Sequence, residues 1–245
     1  MSPYPKIDWI IMDSVIEAKG LSKAFAHHTI LHDIHLSVQQ GEFISIVGKS
    51  GSGKTTLLYC LSGLLKPTSG EIRLCGKNIG HMSPNQLALH RRNNLGFIFQ
   101  NFCLIPSLNV IDNICLPLRL KKVHVPREEL DFLLNRLDLQ DKLTSSISTL
   151  SGGEQQRVAI ARTFISSPSV VFADEPTSSL DTRNSEAVLE LIKSLKEQYK
   201  TTVILVSHDL SVAAVAQKAY VIADGCINNV MESPTTDKLY AILHE

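Results

Sequence analysis

Four short stretches of this chain carry residue types that could do chemistry together. "GKSGSGKT", residues 48 to 55, fits G-x-x-x-x-G-K-[ST] and sits between an apolar strand-like run and an apolar helix-like run. Consecutive amides of Ser50, Gly51, Ser52, Gly53 and Lys54 would wrap nucleotide phosphates, with Gly48 opening the loop and Thr56 closing it. Lys54 would bring a point charge to the β and γ phosphates, and the Thr55 hydroxyl would ligate Mg²⁺. "VVFADE", residues 170 to 175, ends an apolar run in two carboxylates. Asp174 suits the Mg²⁺ shell, and Glu175, one residue on, would reach an attacking water. "LVSHD" sets His208 just past a further apolar run, on the edge where open α/β sheets bind ligands. "LSGGEQQR", residues 150 to 157, puts two glycines at a helix start. Ser151 and Glu154 read as a capping box, which by itself has no need of Gly152 and Gly153. A glycine costs about 1 kcal/mol in a helix interior. Open N–H groups at a helix start favour an anion, so this stretch is expected to touch a phosphate.

The rest of the chain supplies the elements to hold these stretches. "SVIEAKGL" and "TILHDIHLSV" read as strands, "FISIVG" as a buried strand, and Leu57, Leu58, Leu61 and Leu64 as one helix ended by "KPTSG". "GEIRLCGKNI" reads as a hairpin-like piece. From about Ser83 to Ile165 the pattern turns helical. "SPNQ" gives a cap with Pro at the first helical position, and Leu130, Leu133, Leu134 and Leu137 fall on one face. "VVFADE" and "TVILVSH" are further buried strands, separated by an amphipathic helix through Val188, Leu191, Ile192 and Leu195. The Asp-Gly in "YVIADGCINNV" signals a hairpin. Strands and helices alternate at both ends around a helical insertion. The expectation is an α/β fold: a phosphate-loop core with an antiparallel β piece and an inserted helical subdomain at about residues 83–165, within a single domain over 14–245. Residues 1–13 read as an appendage, and Met12 offers an alternative start.

Totals exclude several classes. The 245 residues carry 24 basic and 24 acidic side chains, so nothing points to nucleic acid as a partner. Five scattered cysteines without C-x-x-C suit reduced thiols. No run approaches 18 apolar residues. His28, His32 and His35 have spacings a metal site could use, but they fall on a strand-like segment with no fourth ligand in view.

The phosphate loop, "LSGGEQQR", "VVFADEPTSSLD" and "LVSHD" together resemble the nucleotide-binding subunits of ABC transporters, over about residues 15 to 230. "GFIFQNFCLIPSLNVIDNICLPL" looks most like the lipoprotein-release, macrolide-export and antimicrobial-peptide-resistance group. The resemblance implies an ATP-hydrolysing motor. In it Phe25 stacks on adenine, Gln100 reaches the Mg²⁺ and nucleophile region, and Glu175 is the base. His208 senses the γ-phosphate and Asp181 is the D-loop aspartate. It also implies that Ser151 and Gly153 contact the ATP of a second copy, so that a head-to-tail homodimer encloses two ATPs. Integral membrane permease subunits would be the other partners, holding the motor peripherally at the cytoplasmic face of the inner membrane. Departures are small: Lys49 at a variable loop position, Lys218 where arginine is common, and no counterpart for the first dozen residues. A soluble ABC-type ATPase of DNA repair or translation is the alternative, but such chains usually carry two cassettes or a long coiled-coil insertion. A phosphate-loop GTPase or small-molecule kinase would lack an account of "LSGGEQQR", and no N-K-x-D motif is present.

Overall fold

A computed structural model describes residues 14–26 and 28–244; the appendage expected over residues 1–13, with Met12, lies outside the described residues. The chain begins with two long strands, β1 (Ile16–Phe25) and β2 (His28–Val38), followed by β3 (Phe43–Val47), α1 (Lys54–Leu61), β4 (Ser69–Leu74) and β5 (Lys77–Asn78). Next come α2 (Pro84–Asn94), β6 (Leu95–Phe99), α3 (Val110–Lys121), α4 (Arg127–Arg136) and α5 (Gly152–Phe164). β7 (Val170–Asp174), α6 (Thr182–Tyr199), β8 (Thr202–Ser207), α7 (Leu210–Ala213), β9 (Lys218–Ala223), β10 (Cys226–Glu232) and α8 (Thr236–His244) follow.

Two sheets result. One is antiparallel, in the order β2-β1-β4-β5, and the other has the order β10-β9-β3-β8-β7-β6. In the second, β9, β3, β8, β7 and β6 run parallel and only β10 is antiparallel. Every residue of β3, β7 and β8 is buried, which is why these strands are near-continuous apolar runs rather than alternating ones. Their two faces still differ. Ile44, Ile46, Phe172, Ile204 and Val206 pack on Leu57, Leu58 and Leu61 of α1 and on the antiparallel sheet through Leu21, Leu31 and Ile72. Phe43, Val171, Ala173, Val203 and Leu205 pack on the other side with Ile114 of α3, Leu134 of α4, Phe164 of α5 and Ile192 of α6. Each such aliphatic side chain contributes roughly 1.5–3 kcal/mol of burial energy, so the sheet is fixed from both faces. No helix among the described residues is long and apolar enough to cross a membrane.

Several local expectations hold. Ser83 and Gln86 form a reciprocal capping box on α2 with Pro84 in its first turn. Asp224 and Gly225 both adopt positive φ (47° and 73°) between the paired residues Ala223 and Cys226, the two-residue hairpin turn signalled by Asp-Gly. A Cβ on Gly225 would lie 2.2 Å from the Ile30 carbonyl oxygen, so glycine is required there twice over.

Two expectations need correction. The stretch from Ser83 to Ile165 is not helical throughout: Leu95–Phe99 is β6, paired from Leu95↔Val170 to Phe99↔Asp174 with β7. Five apolar residues directly after a helix cannot be told from another helical turn by periodicity; the partner strand decides. α1 also stops at Leu61, ahead of "KPTSG". The Gly63 amide turns back to the Cys60 carbonyl and those of Leu64 and Leu65 to Tyr59, which leaves Leu64 44% exposed rather than on the helix's buried face.

Candidate active site

The parallel strands share one C-terminal edge, and the first residue after each of four strands belongs to the candidate set. Gly48 follows β3, Gln100 follows β6, Glu175 follows β7 and His208 directly follows Ser207 of β8. Open α/β sheets bind ligands at this edge.

The loop from Gly48 to Thr55 joins β3 to α1. A Cβ on Gly48 would meet the Ile222 carbonyl oxygen at 2.2 Å and Ser52 Oγ at 2.6 Å, so only glycine lets the loop lie this close to β9. The N-terminus of α1 begins at left-handed Gly53 with no side-chain cap, leaving its first-turn amides to an outside acceptor. Ser52 Oγ is buried without a hydrogen-bond partner. Lys54, 8% exposed, curls across the loop and donates from Nζ to the carbonyls of Gly48 and Lys49, both at 2.9 Å. Burial lowers its pKa below the usual lysine value, while Glu175 and Asp174 pull it the other way.

Thr55 donates its hydroxyl to Asp174 Oδ1 at 3.0 Å across the gap between α1 and β7. Burial raises the Asp174 pKa, although the Thr55 and Tyr59 hydroxyls and Lys54 act against the rise. A desolvated carboxylate beside a hydroxyl is a fitting pair of oxygen ligands for a hard divalent cation. Tyr59 escaped the sequence reading. Its phenol is pushed up to about 12, first by burial and then by the negative charge of Asp174 and a hydrogen bond to it. Its only signal in sequence is its place one helical turn after Thr55.

Glu175 sits in the left-handed region at φ 49°, a conformation that persists only where its surroundings enforce it. Its amide donates to the Val206 carbonyl at 3.0 Å, which ties it to β8. Glu175 Oε1 accepts from the His208 amide at 3.1 Å and lies 2.8 Å from His208 Nδ1, and Ser207 Oγ donates to Oε2 at 3.4 Å. The carboxylate is largely buried (14% exposed), whereas the His208 ring is open to solvent (63%). Gln100 is exposed, in the turn after Phe99, whose register partner is Asp174. That turn is held from behind: Arg162 of α5 donates to the carbonyls of Cys103 at 2.6 Å and Phe102 at 2.8 Å.

The remaining candidates do not directly follow a strand of the parallel sheet. Phe25, at the end of β1, is 48% exposed, with Lys23 Nζ 4.7 Å over its ring. Asp181 caps α6, accepting from the amide and side chain of Asn184 at 2.9 and 2.7 Å, and these bonds hold its pKa below the ordinary value. Ser151 caps α5 in the expected reciprocal box with Glu154. The box and Lys142 hold the Glu154 carboxyl below its ordinary pKa, the Ser151 amide contributing most. A Cβ on Gly152 would find only Leu180, at 3.8 Å, and one on Gly153 would meet Asn184 at 3.5 Å, ordinary contacts at ordinary φ. Among the described residues, no clash or left-handed backbone therefore demands either glycine. Among the described residues, no hydrogen bond or ion pair links Ser151, Gly152 or Gly153 to the loop at 48–56. No group of three or more His, Cys, Asp or Glu among the described residues could hold a metal ion, so His28, His32 and His35 do not form such a group.

The uncapped start of α1 behind a glycine-rich loop, set against the Thr55–Asp174 pair, places the fold among the phosphate-loop nucleoside triphosphatases. The sequence model of the ABC transporter family matches residues 31–178. The chain is 45% identical, over 81% of its length, to a macrolide export ATP-binding/permease protein MacB of Syntrophobacter fumaroxidans, of which it spans 28%. It is 40% identical over 87% of its length to a lipoprotein-releasing system ATP-binding protein LolD of Aquifex aeolicus and covers 96% of that protein. Among solved structures, the ATP-binding cassette MJ0796, in a dimeric post-hydrolysis state with ADP and Pi, superposes with a TM-score of 0.81 at 33% identity, covering 90% of this chain and 99% of that one. The chain belongs to the ABC transporter family and is an ATP-binding, ATP-hydrolysing cassette of it.

Proposed function

We propose that this cassette works as a head-to-tail homodimer that binds two ATPs between its copies and drives separate integral membrane subunits, in export or release of a lipoprotein, peptide or drug. In this reading residues 14–245 act as one domain whose helices after β6 form the moving insertion. The loop from Gly48 to Thr56 wraps the phosphates, with Lys54 at the β and γ oxygens, while Phe25 stacks on adenine. Mg²⁺, held by Thr55, Asp174 and Gln100, would supply charge neutralisation at the phosphates. Glu175 orients a water and takes its proton, and His208, hydrogen-bonded to that carboxylate, presents its open ring to the γ-phosphate. Ser151, Gly152 and Gly153 of one copy, with Asp181 at the N-cap of the adjacent α6, complete the other copy's site.

The observation that carries the hydrolytic reading is the contact of Glu175 with both the amide and ring of His208 beside the phosphate loop. Support for the membrane partner is a 330 Å³ groove lined by Phe97, Phe99, Cys103, Leu116, Pro117 and Leu120, directly beside Gln100. A permease segment seated there would hold the cassette at the cytoplasmic face of the membrane and feel any movement of Gln100. Cys103 gives a native thiol for cross-linking the two. Replacing Lys54 tests the core: Lys54→Ala is expected to abolish measurable ATP hydrolysis in a coupled phosphate-release assay, and undiminished turnover would place the active site elsewhere.

A further inference from the structure

One fully buried polar side chain plays no part in the chemistry above. Gln156 of α5 has no exposed surface, and its Nε2 donates to the Pro176 carbonyl at 2.6 Å. Its Oε1 is buried and has no hydrogen-bond partner among the described residues. A buried amide with its acceptor unused is costly, and an apolar side chain of equal length would avoid that cost. What the amide supplies in exchange is the donor to Pro176.

Pro176 is the residue directly after Glu175. The Glu175 backbone is strained and is clamped on its N-terminal side by the bond to Val206, while its own carbonyl accepts from Ser178. The Gln156 bond fixes the next carbonyl, also buried, and so closes the clamp on the C-terminal side. α5 starts just upstream, with its N-cap Ser151 and Gly153 five and three residues before Gln156. One and a half turns of helix and one hydrogen bond separate Ser151 from the residue that follows Glu175.

We propose that Gln156 is a positioning residue that ties the seating of α5 on the partner's nucleotide to the alignment of Glu175 in its own site. This rests on the reading in which Glu175 is the base and α5 faces the second copy. Each copy's hydrolysis would then depend, through one hydrogen bond, on the ATP held by its neighbour.

The test uses the full chain. Gln156→Met keeps the length and removes the donor. It is expected to lower kcat at least tenfold while KM and the equilibrium ATP affinity stay within twofold of wild type. Combined with Glu175→Gln, it should slow single-turnover hydrolysis no further, because a group acting through Glu175 has nothing left to position. Gln156→Glu, the same shape, can donate only when protonated, so its kcat relative to wild type should rise as pH falls from 8 to 6, guarding against a Met variant that merely folds badly. A Gln156→Met enzyme with wild-type kcat, a loss of kcat shared equally by ATP affinity, or a further drop on top of Glu175→Gln would overturn the proposal. Full turnover in Glu175→Gln alone would instead overturn the reading beneath it.

Discussion

The two glycine-rich stretches of this chain look alike in sequence and differ in what their glycines answer to. In the phosphate loop, Gly48 is demanded from inside, because a Cβ would collide with the Ile222 carbonyl oxygen at 2.2 Å. At the start of α5, Gly152 and Gly153 have room for a Cβ and ordinary backbone angles, and Ser151 and Glu154 already complete the cap. One stretch is explained by its own chain, whereas no contact among the described residues accounts for the other. A helix start bared of side chains is suited to an anion, and in the function proposed above that anion is the ATP of a second copy. Composite sites leave this mark: residues whose cost is local and whose benefit lies in another molecule.

That contrast predicts opposite outcomes for the same substitution. Gly48→Ala should disrupt the loop and abolish both ATP binding and hydrolysis, with a clear fall in the melting temperature of the free chain. Gly153→Ala should leave the free chain as stable or up to about 1 kcal/mol more stable, since alanine favours helix, yet reduce turnover. Differential scanning fluorimetry beside an ATPase assay separates the two, and a destabilised Gly153→Ala chain would erase the distinction. Phe25 should behave as an exposed ring that meets its ligand only on binding: Phe25→Ala should weaken ATP binding by about 1–2 kcal/mol and Phe25→Tyr hardly at all, by isothermal titration. Unchanged affinity in Phe25→Ala would move adenine elsewhere.

Much of this was legible in the sequence, and the reasons are specific. β3, β7 and β8 are buried on both faces, so they had to be continuous apolar runs, and the residues that follow them inherit the ligand-binding edge. The Asp-Gly turn, the Ser83 cap with Pro84 behind it and the Ser151–Glu154 capping box are local chemistry and are formed as read. β6 was not legible, because a five-residue apolar run becomes a strand only through β7 beside it. Tyr59 and Gln156 were invisible for the same cause. One finds Asp174 and the other Pro176 across the fold, and no spacing within their own helices announces it.

A smaller effect follows from Asp174. Its folded pKa is raised by burial, so the folded free chain holds the charged carboxylate less favourably than the unfolded chain does. The resulting stability is present below the unfolded carboxylate value and is lost as pH rises through the higher folded value. At neutral pH the buried charge therefore destabilises, and Asp174→Asn should raise the melting temperature of the nucleotide-free chain at pH 7 while removing activity. An unchanged or lower melting temperature would mean that Thr55, Tyr59 and Lys54 already offset the burial.

The central claim is that α5 serves the neighbour's ATP, and dimerisation under blocked hydrolysis tests it most directly. Glu175→Gln keeps the size and an acceptor oxygen but cannot take a proton, so ATP should bind and persist as the link between two chains. Size-exclusion chromatography with light scattering is expected to show a dimer with ATP and EDTA and a monomer with ADP. Adding Gly153→Asp sets a like charge against the γ-phosphate and should restore the monomer even with ATP. A Glu175→Gln chain that stays monomeric when saturated with ATP, or a double variant that still dimerises, would contradict the claim.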